Sequence, residues 1–187
     1  MKNTHTQSKQ EFYLALALIA IGIGTRLLCN VLGLYNFSAV GATAIFAGAF
    51  LRRNKWSYAI PLVATFLTDL VIGLYGTSEM LVVYGSYVAM MLVGSLYAKK
   101  PSLLSYVGVA LGGSAAFFLV TNFALWPFYA QYPHTFAGVI ESYTMALPFY
   151  RNSFASDMIF SAILFVGYES AKVFVTRGKQ VAAQVGA

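Results

Sequence analysis

Cut at its charged clusters, the 187-residue chain falls into six apolar stretches, roughly residues 12–29, 37–51, 58–75, 80–98, 103–126 and 153–175. A helix needs about 20 apolar residues to cross ~30 Å of hydrocarbon, with about 17 as the practical minimum. Every stretch but the second meets that length. The second must thin the bilayer locally or sit shielded by its neighbours. Lipid leaves no partner for an open sheet edge, so helices are the expected form. The alternation over ~10-residue units that marks a membrane barrel is absent. The expected fold class is an all-α membrane protein with six transmembrane helices.

Composition supports the same conclusion. Charged residues make up 10% of the chain, hydrophobic ones 59%, and the mean hydropathy is +0.69. A soluble domain carries about 25% charged residues, so a soluble enzyme, a disordered tail and a free nucleic-acid binder are excluded. The net charge of +6 matters through its distribution. With six crossings, Lys2, Lys9, Arg52, Arg53, Lys55, Lys99, Lys100, Lys172, Arg177 and Lys179 all fall on one side, leaving Arg26 and Arg151 on the other. Basic residues are retained in the cytoplasm, so both termini are expected there, with residues 1–11 and 176–187 as cytoplasmic tails. No small-x-small cleavage site follows the first stretch, which is read as a span and not as a signal peptide. One cysteine excludes an internal disulfide framework and any cysteine-built zinc site.

The connections on the outer side are uneven. Residues 127–152 read as a long outer loop with Pro127, Pro133 and Pro148 and with Phe128, Tyr129, Tyr132, Phe136, Tyr143, Phe149 and Tyr150. Such a loop suits a lid over a binding site, and its aromatics equally suit an interfacial belt. Residues 135–147 could form a short interfacial helix before Pro148.

Ionisable groups inside a membrane segment cost several kcal/mol, so each needs a partner or a purpose. Here they gather toward the outer ends: Arg26 and Asn30 in the first segment, Asp69 in the third, Asn122 beside Trp126 in the fifth, and Arg151, Asn152 and Asp157 at the start of the sixth. One reading is structural, with Arg26 and Arg151 neutralising Asp69 and Asp157 and holding the helices in register. The other is a solute pocket open to the outside with these groups as polar anchors. Phe66-Leu-Thr-Asp69-Leu-Val echoes Phe154-Ala-Ser-Asp157-Met-Ile in helices of opposite direction, as an inverted repeat requires. The hydroxyl before each aspartate is placed to donate to its carboxylate. Ala44-x-x-x-Gly48, Gly108-x-x-x-Gly112 and Ala20-x-x-x-Gly24 fit the small-x-x-x-small pattern of close helix approach. Ala44 and Gly48 therefore serve either internal packing or docking of a membrane partner.

No metalloprotease pattern and no phosphate-binding glycine loop is present. The two histidines, His5 and His134, leave no Ser-His pair inside the membrane, and Cys29 reads as a packed thiol. No catalytic, metal or cofactor role is expected. A membrane enzyme built on Asp69 and Asp157 is the residual enzymatic reading.

Four runs carry a family resemblance: residues 36–48 (Asn-Phe-Ser-Ala-Val-Gly-Ala-Thr-Ala-Ile-Phe-Ala-Gly), 66–73 around Asp69, 118–126 around Asn122, and Tyr143-x-x-Ala-Leu-Pro148-Phe-Tyr-Arg151-Asn152-Ser-x-x-x-Asp157. Over most of residues 12–175 they resemble an uncharacterised family of small bacterial membrane proteins. That family is in turn similar to the substrate-binding S components of energy-coupling factor transporters. The resemblance implies a six-helix bundle in the bacterial inner (cytoplasmic) membrane, with a solute site near the outer face. It also implies coupling to a separate membrane subunit with paired ATPases. Asn36, Asp69, Asn122, Arg151, Asn152 and Asp157 would be pocket or pocket-supporting residues, joined from the reading above by Arg26 and Trp126. The first-helix Ala-x-x-x-Ala pattern by which S components dock has only Ala20-x-x-x-Gly24 as a counterpart. The amino-terminal Met-His of nickel and cobalt versions is absent, since the chain starts Met1-Lys2-Asn3. The expected function is therefore a substrate-binding subunit for uptake of a small, vitamin-like organic solute. The alternative is a non-transporting structural or accessory subunit of a larger membrane complex.

Overall fold

The computed structural model describes residues 4–99 and 101–185. Lys2 and Lys100 lie outside the described residues, as do the side chains of His5, Lys55 and Lys179. Six α-helices carry the chain: α1 (Thr4–Val31), α2 (Val40–Phe50), α3 (Ala59–Ile72), α4 (Thr77–Ser95), α5 (Leu103–Leu125) and α6 (Phe136–Val185). Within them, Lys9–Val31, Thr77–Ser95, Leu103–Phe128 and Phe136–Arg177 are long and apolar enough to cross a membrane by length and composition. Outward positions such as Val71, Leu81, Leu104, Phe123 and Ile163 are exposed and apolar, as a lipid-facing surface requires.

The short second segment forms α2, and it is shielded. Val40 through Ala49 are all buried, and α2 touches each of the other five helices. Its closest neighbour is α4. A Cβ added at Gly48 would strike the backbone carbonyl of Met91, and one added at Gly94 would strike the carbonyl of Ile45. Glycines on both helices thus let the two backbones meet directly. Ala44, fully buried, packs in the same core as Ile45, Met90, Tyr106 and Ala110. Of the two roles considered for Ala44 and Gly48, the structure shows internal packing and not an exposed docking face: both are buried in the interior of their own bundle.

Local signals explain where the helices stop. α1 ends at Gly33 (φ 70°), where the Leu34 N–H donates to the Cys29 carbonyl (2.8 Å) and the Gly33 N–H to the Asn30 carbonyl (3.1 Å). That double bond pattern closes a helix through a left-handed glycine. Ser102 caps α5 by accepting from the Ser105 N–H (3.1 Å).

Two expectations are overturned. Residues 127–152 are not a long loop: the helix resumes at Phe136 and runs without a break through Pro148. Proline removes one backbone donor and normally interrupts a helix, but a helix held laterally by its neighbours tolerates it. Tyr143 and Tyr150, about two turns apart, both pack on Phe118 of α5, and the Tyr143 hydroxyl donates to the Leu119 carbonyl (2.7 Å). Residues 4–11 and 176–185 are likewise continuations of α1 and α6 and not separate tails. At 50 residues, α6 is about 75 Å long at 1.5 Å per residue.

The glycine contacts set a stability contrast. Gly48→Ala and Gly94→Ala each force backbone against backbone and should destabilise the bundle by about 1–3 kcal/mol. Gly108→Ala, where a Cβ meets nothing within 4 Å, should be neutral or gain about 0.5–1 kcal/mol from helix propensity. Thermal unfolding of the three purified variants measures the difference.

Candidate functional site

A cavity of about 470 Å³ lies toward the end of the bundle where α1, α3 and α5 finish and α2, α4 and α6 begin. Its wall is assembled from every helix. Arg26 and Asn30 come from α1, Tyr35 to Ser38 from the α1–α2 connection, and Gly41 from the first turn of α2. Ile72 and Tyr75 come from the end of α3, and Val83, Tyr87 and Met90 from α4. Phe117, Phe118, Thr121 and Asn122 come from α5, and Phe149, Tyr150, Ser156 and Asp157 from α6. Of the residues expected at a pocket, Arg26, Asn36, Asn122 and Asp157 are brought together here.

Each of these is held in its own way. Asn36 adopts a left-handed backbone (φ 60°), a conformation asparagine tolerates better than most residues. The preceding helix is tied to the next one through Thr25, whose hydroxyl accepts from the Ala39 N–H (3.0 Å) and donates to the Ile21 carbonyl (2.7 Å). Asn122 donates its amide N–H to the Phe118 carbonyl (2.8 Å), which leaves its Oδ1 as an acceptor at the cavity.

Arg26 is anchored to α3. Its guanidinium pairs with Asp69 (2.6 Å), donates to the Thr65 carbonyl (3.0 Å) and also bonds the Thr68 hydroxyl. Asp69 is 1% exposed and accepts a second bond from the Tyr84 hydroxyl (2.8 Å). Asp69 is thus a supporting carboxylate behind Arg26 and does not line the cavity, the second of the two places the resemblance implied for it.

Asp157 is the opposite case. It is 6% exposed, lies against Gly41, where any Cβ would strike its carboxylate, and forms no ion pair with any described residue. Ser114 stands beside it and beside Tyr150 without a well-formed hydrogen bond to either. The expected Arg151–Asp157 pairing is corrected. The two sit six residues apart on one helix, about 120° apart around its axis, and Arg151 faces out, exposed.

Two further candidates support the site from outside it. Asn152 donates to the Tyr35 carbonyl (3.1 Å) and so ties α6 to the α1–α2 connection. The Trp126 indole N–H donates to the Pro133 carbonyl (3.1 Å) and its ring meets His134 edge-on, so Trp126 braces the short α5–α6 connection. In that connection, burial lifts the Tyr129 hydroxyl above its ordinary pKa, and the nearby Glu79 carboxylate adds to the shift. The hydroxyls preceding the two aspartates do not donate to them: Thr68 donates to the Ala64 and Thr65 carbonyls, and Ser156 to the Ser153 carbonyl.

Sequence reasoning missed the aromatic wall supplied by Tyr75, Tyr87, Phe117 and Phe118. Nothing in their spacing separates them from core residues; only their position near Arg26 and Asn122 in adjacent helical turns could have pointed to them. Below the cavity the interior is solid. Phe50 packs with Tyr97, Tyr106, Phe165 and Tyr168 at ring separations of 4.5–6.3 Å. Among the described residues no group of three or more His, Cys, Asp or Glu is placed to hold a metal ion. The arrangement offers one clamped guanidinium, one carboxyl without an ion pair among the described residues, side-chain amides and aromatic rings.

The asymmetry between the charges predicts a mutational order. Asp69→Ala strips the partner from a largely buried Arg26 and should cost about 3–5 kcal/mol, whereas Arg151→Ala should stay within about 0.5 kcal/mol. Thermal denaturation of both variants checks it.

No curated protein and no solved structure matches the chain. A family model does match, across residues 6–180, and the chain belongs to DUF6580, a family of unknown function.

Proposed function

We propose that this protein is an integral membrane substrate-binding subunit for uptake of a small organic solute. It would sit in the bacterial inner membrane with both termini in the cytoplasm and the cavity facing outward. The observation that carries this reading is the convergence of Arg26, Asn36, Asn122 and Asp157 on one cavity of about 470 Å³. Small-molecule pockets run from about 300 to 1,000 Å³ and combine apolar walls with a few convergent polar groups. The aromatic layer around Phe50 supports capture over conduction, because a solute held in the cavity has a packed floor beneath it. Exposed Arg52, Arg53, Lys99 and Lys172 at the end opposite the cavity support the cytoplasmic assignment of that end.

Release inward would then require a moving partner, and the coupling subunit with ATPases of an energy-coupling factor transporter is the partner this reading suggests. The alternative of a non-transporting accessory subunit, docked through the small-residue face of α2, draws no support from that helix, which is buried.

Native mass spectrometry of gently solubilised protein tests the proposal. The unmodified chain should retain a small molecule, and Asn122→Ala should lose it at least about tenfold, the effect of deleting one good polar contact, with unchanged helical content. Equal retention by Asn122→Ala, or an empty wild-type chain from native membranes, would contradict the reading.

A further inference from the structure

The charges around the cavity do not balance, and the imbalance says what the cavity is built to take. Arg26 and Asp69 neutralise each other at 2.6 Å. Both hydrogens of one Arg26 terminal nitrogen are already given to Thr65 and Thr68 and the other terminal nitrogen faces Asp69, so this guanidinium's charge is already matched within the protein. Asp157 has no such partner. It is 94% hidden from solvent, lines the cavity, and is approached by no basic side chain among the described residues. Tyr87 lies within electrostatic reach of both the Arg26–Asp69 pair and Asp157 and stands on the cavity wall with them.

A buried carboxyl without a counter-charge is costly to ionise, and the fold leaves room for this one. Position 41 carries glycine, the residue without a side chain, where any Cβ would drive into the Asp157 carboxylate. The wall around it is rich in aromatic rings. Tyr87 and Phe117 lie with ring centroids 4.9 Å apart, and Phe118 stacks on Tyr150 at 4.2 Å. Aromatic rings attract cations most strongly where water is excluded, and the unpaired Asp157 carboxyl on the same wall supplies a charge partner.

Resting on the solute-binding reading above, we infer that the solute is a small organic cation: an aromatic or otherwise flat compound bearing one amine, amidine or quaternary nitrogen that Asp157 neutralises beside Tyr87 and Tyr150. The Asn122 Oδ1 and the Asn36 side chain lie on the same wall and offer acceptor positions for further N–H groups.

Three probes of one shape and different charge separate the possibilities: benzamidine (a cation at neutral pH), benzamide (neutral) and benzoate (an anion), titrated against the purified full chain in nanodiscs. Benzamidine should bind at least about tenfold more tightly than the other two, the margin of one charge-assisted hydrogen bond. Asp157→Asn, which keeps the shape and removes the charge, should abolish that preference. Comparison among the three probes on the unmodified chain holds even if that variant does not fold. Benzamide or benzoate binding as tightly as benzamidine overturns the charge inference while leaving a solute pocket. Failure of benzamidine to bind at millimolar concentration overturns it as well, and retention of a native solute by the unmodified chain would then show that only the charge, and not the pocket, was misread.

Discussion

The direct contact between the backbones of α2 and α4 is the constraint on which the rest of the bundle depends. Gly48 and Gly94 admit the carbonyls of Met91 and Ile45 to distances that any side chain would block, and α2 is thereby drawn into the centre, touching every other helix. But α2 has only 11 residues, about 16 Å of helix, half of what a hydrocarbon core requires. A short central rod surrounded by longer helices leaves part of the middle unfilled. The cavity occupies that part, bounded by Gly41 at the α2 start and by the irregular residues 34–38 that lead into it. Irregular backbone within a membrane is tolerated where it lines a cavity and not where it meets lipid, and residues 34–38 line the cavity.

The polar groups divide by the same geometry. Arg26 and Asp69 lie on the neighbouring helices α1 and α3, close enough to satisfy each other, so the pair acts as a rivet between them. Asp157 reaches the cavity from α6 with Gly41 and Ser114 beside it and no ion-pair partner among the described residues. A buried ion pair fixes arrangement more than it adds stability, whereas a buried unpaired carboxyl calls for an external partner. The first charge pair therefore holds two helices together, while the second carboxyl stands at the cavity wall with no counter-charge among the described residues, although both aspartates sit in similar sequence contexts.

Much of this was legible in the sequence. Apolar length located α2, α4 and α5 to within a few residues, and the clustering of Arg26, Asn122 and Asp157 toward one end of the segments anticipated a shared site. Pro148 misled, because proline is a stop signal where a freed carbonyl must find water; here α6 continues past it, with Tyr143 and Tyr150 packed on Phe118 on either side. Arg151 misled for the same reason: once residues 151 and 157 share one helix, angular separation forbids the pairing that a loop would have allowed. Ala44 and Gly48 carried a correct signal of close approach with no indication of its target, since a small-x-x-x-small pattern is identical for an internal and an external neighbour. The aromatic wall was hidden in a chain where aromatics are 16% of residues and mark core and interface alike.

The central claim is that the incomplete reach of α2 leaves a solvent-accessible chamber on one face of the membrane. Cysteine scanning with a membrane-impermeant thiol reagent on sealed cells, in a Cys29→Ser background, tests it most directly. Asn36→Cys and Asn122→Cys should be modified from outside at rates near that of a control at the exposed Gln131→Cys, while Ala44→Cys, in the packed core, should stay unmodified. If Asn122→Cys is as inert as Ala44→Cys, or reacts only from the cytoplasmic side, the chamber or its orientation is wrong.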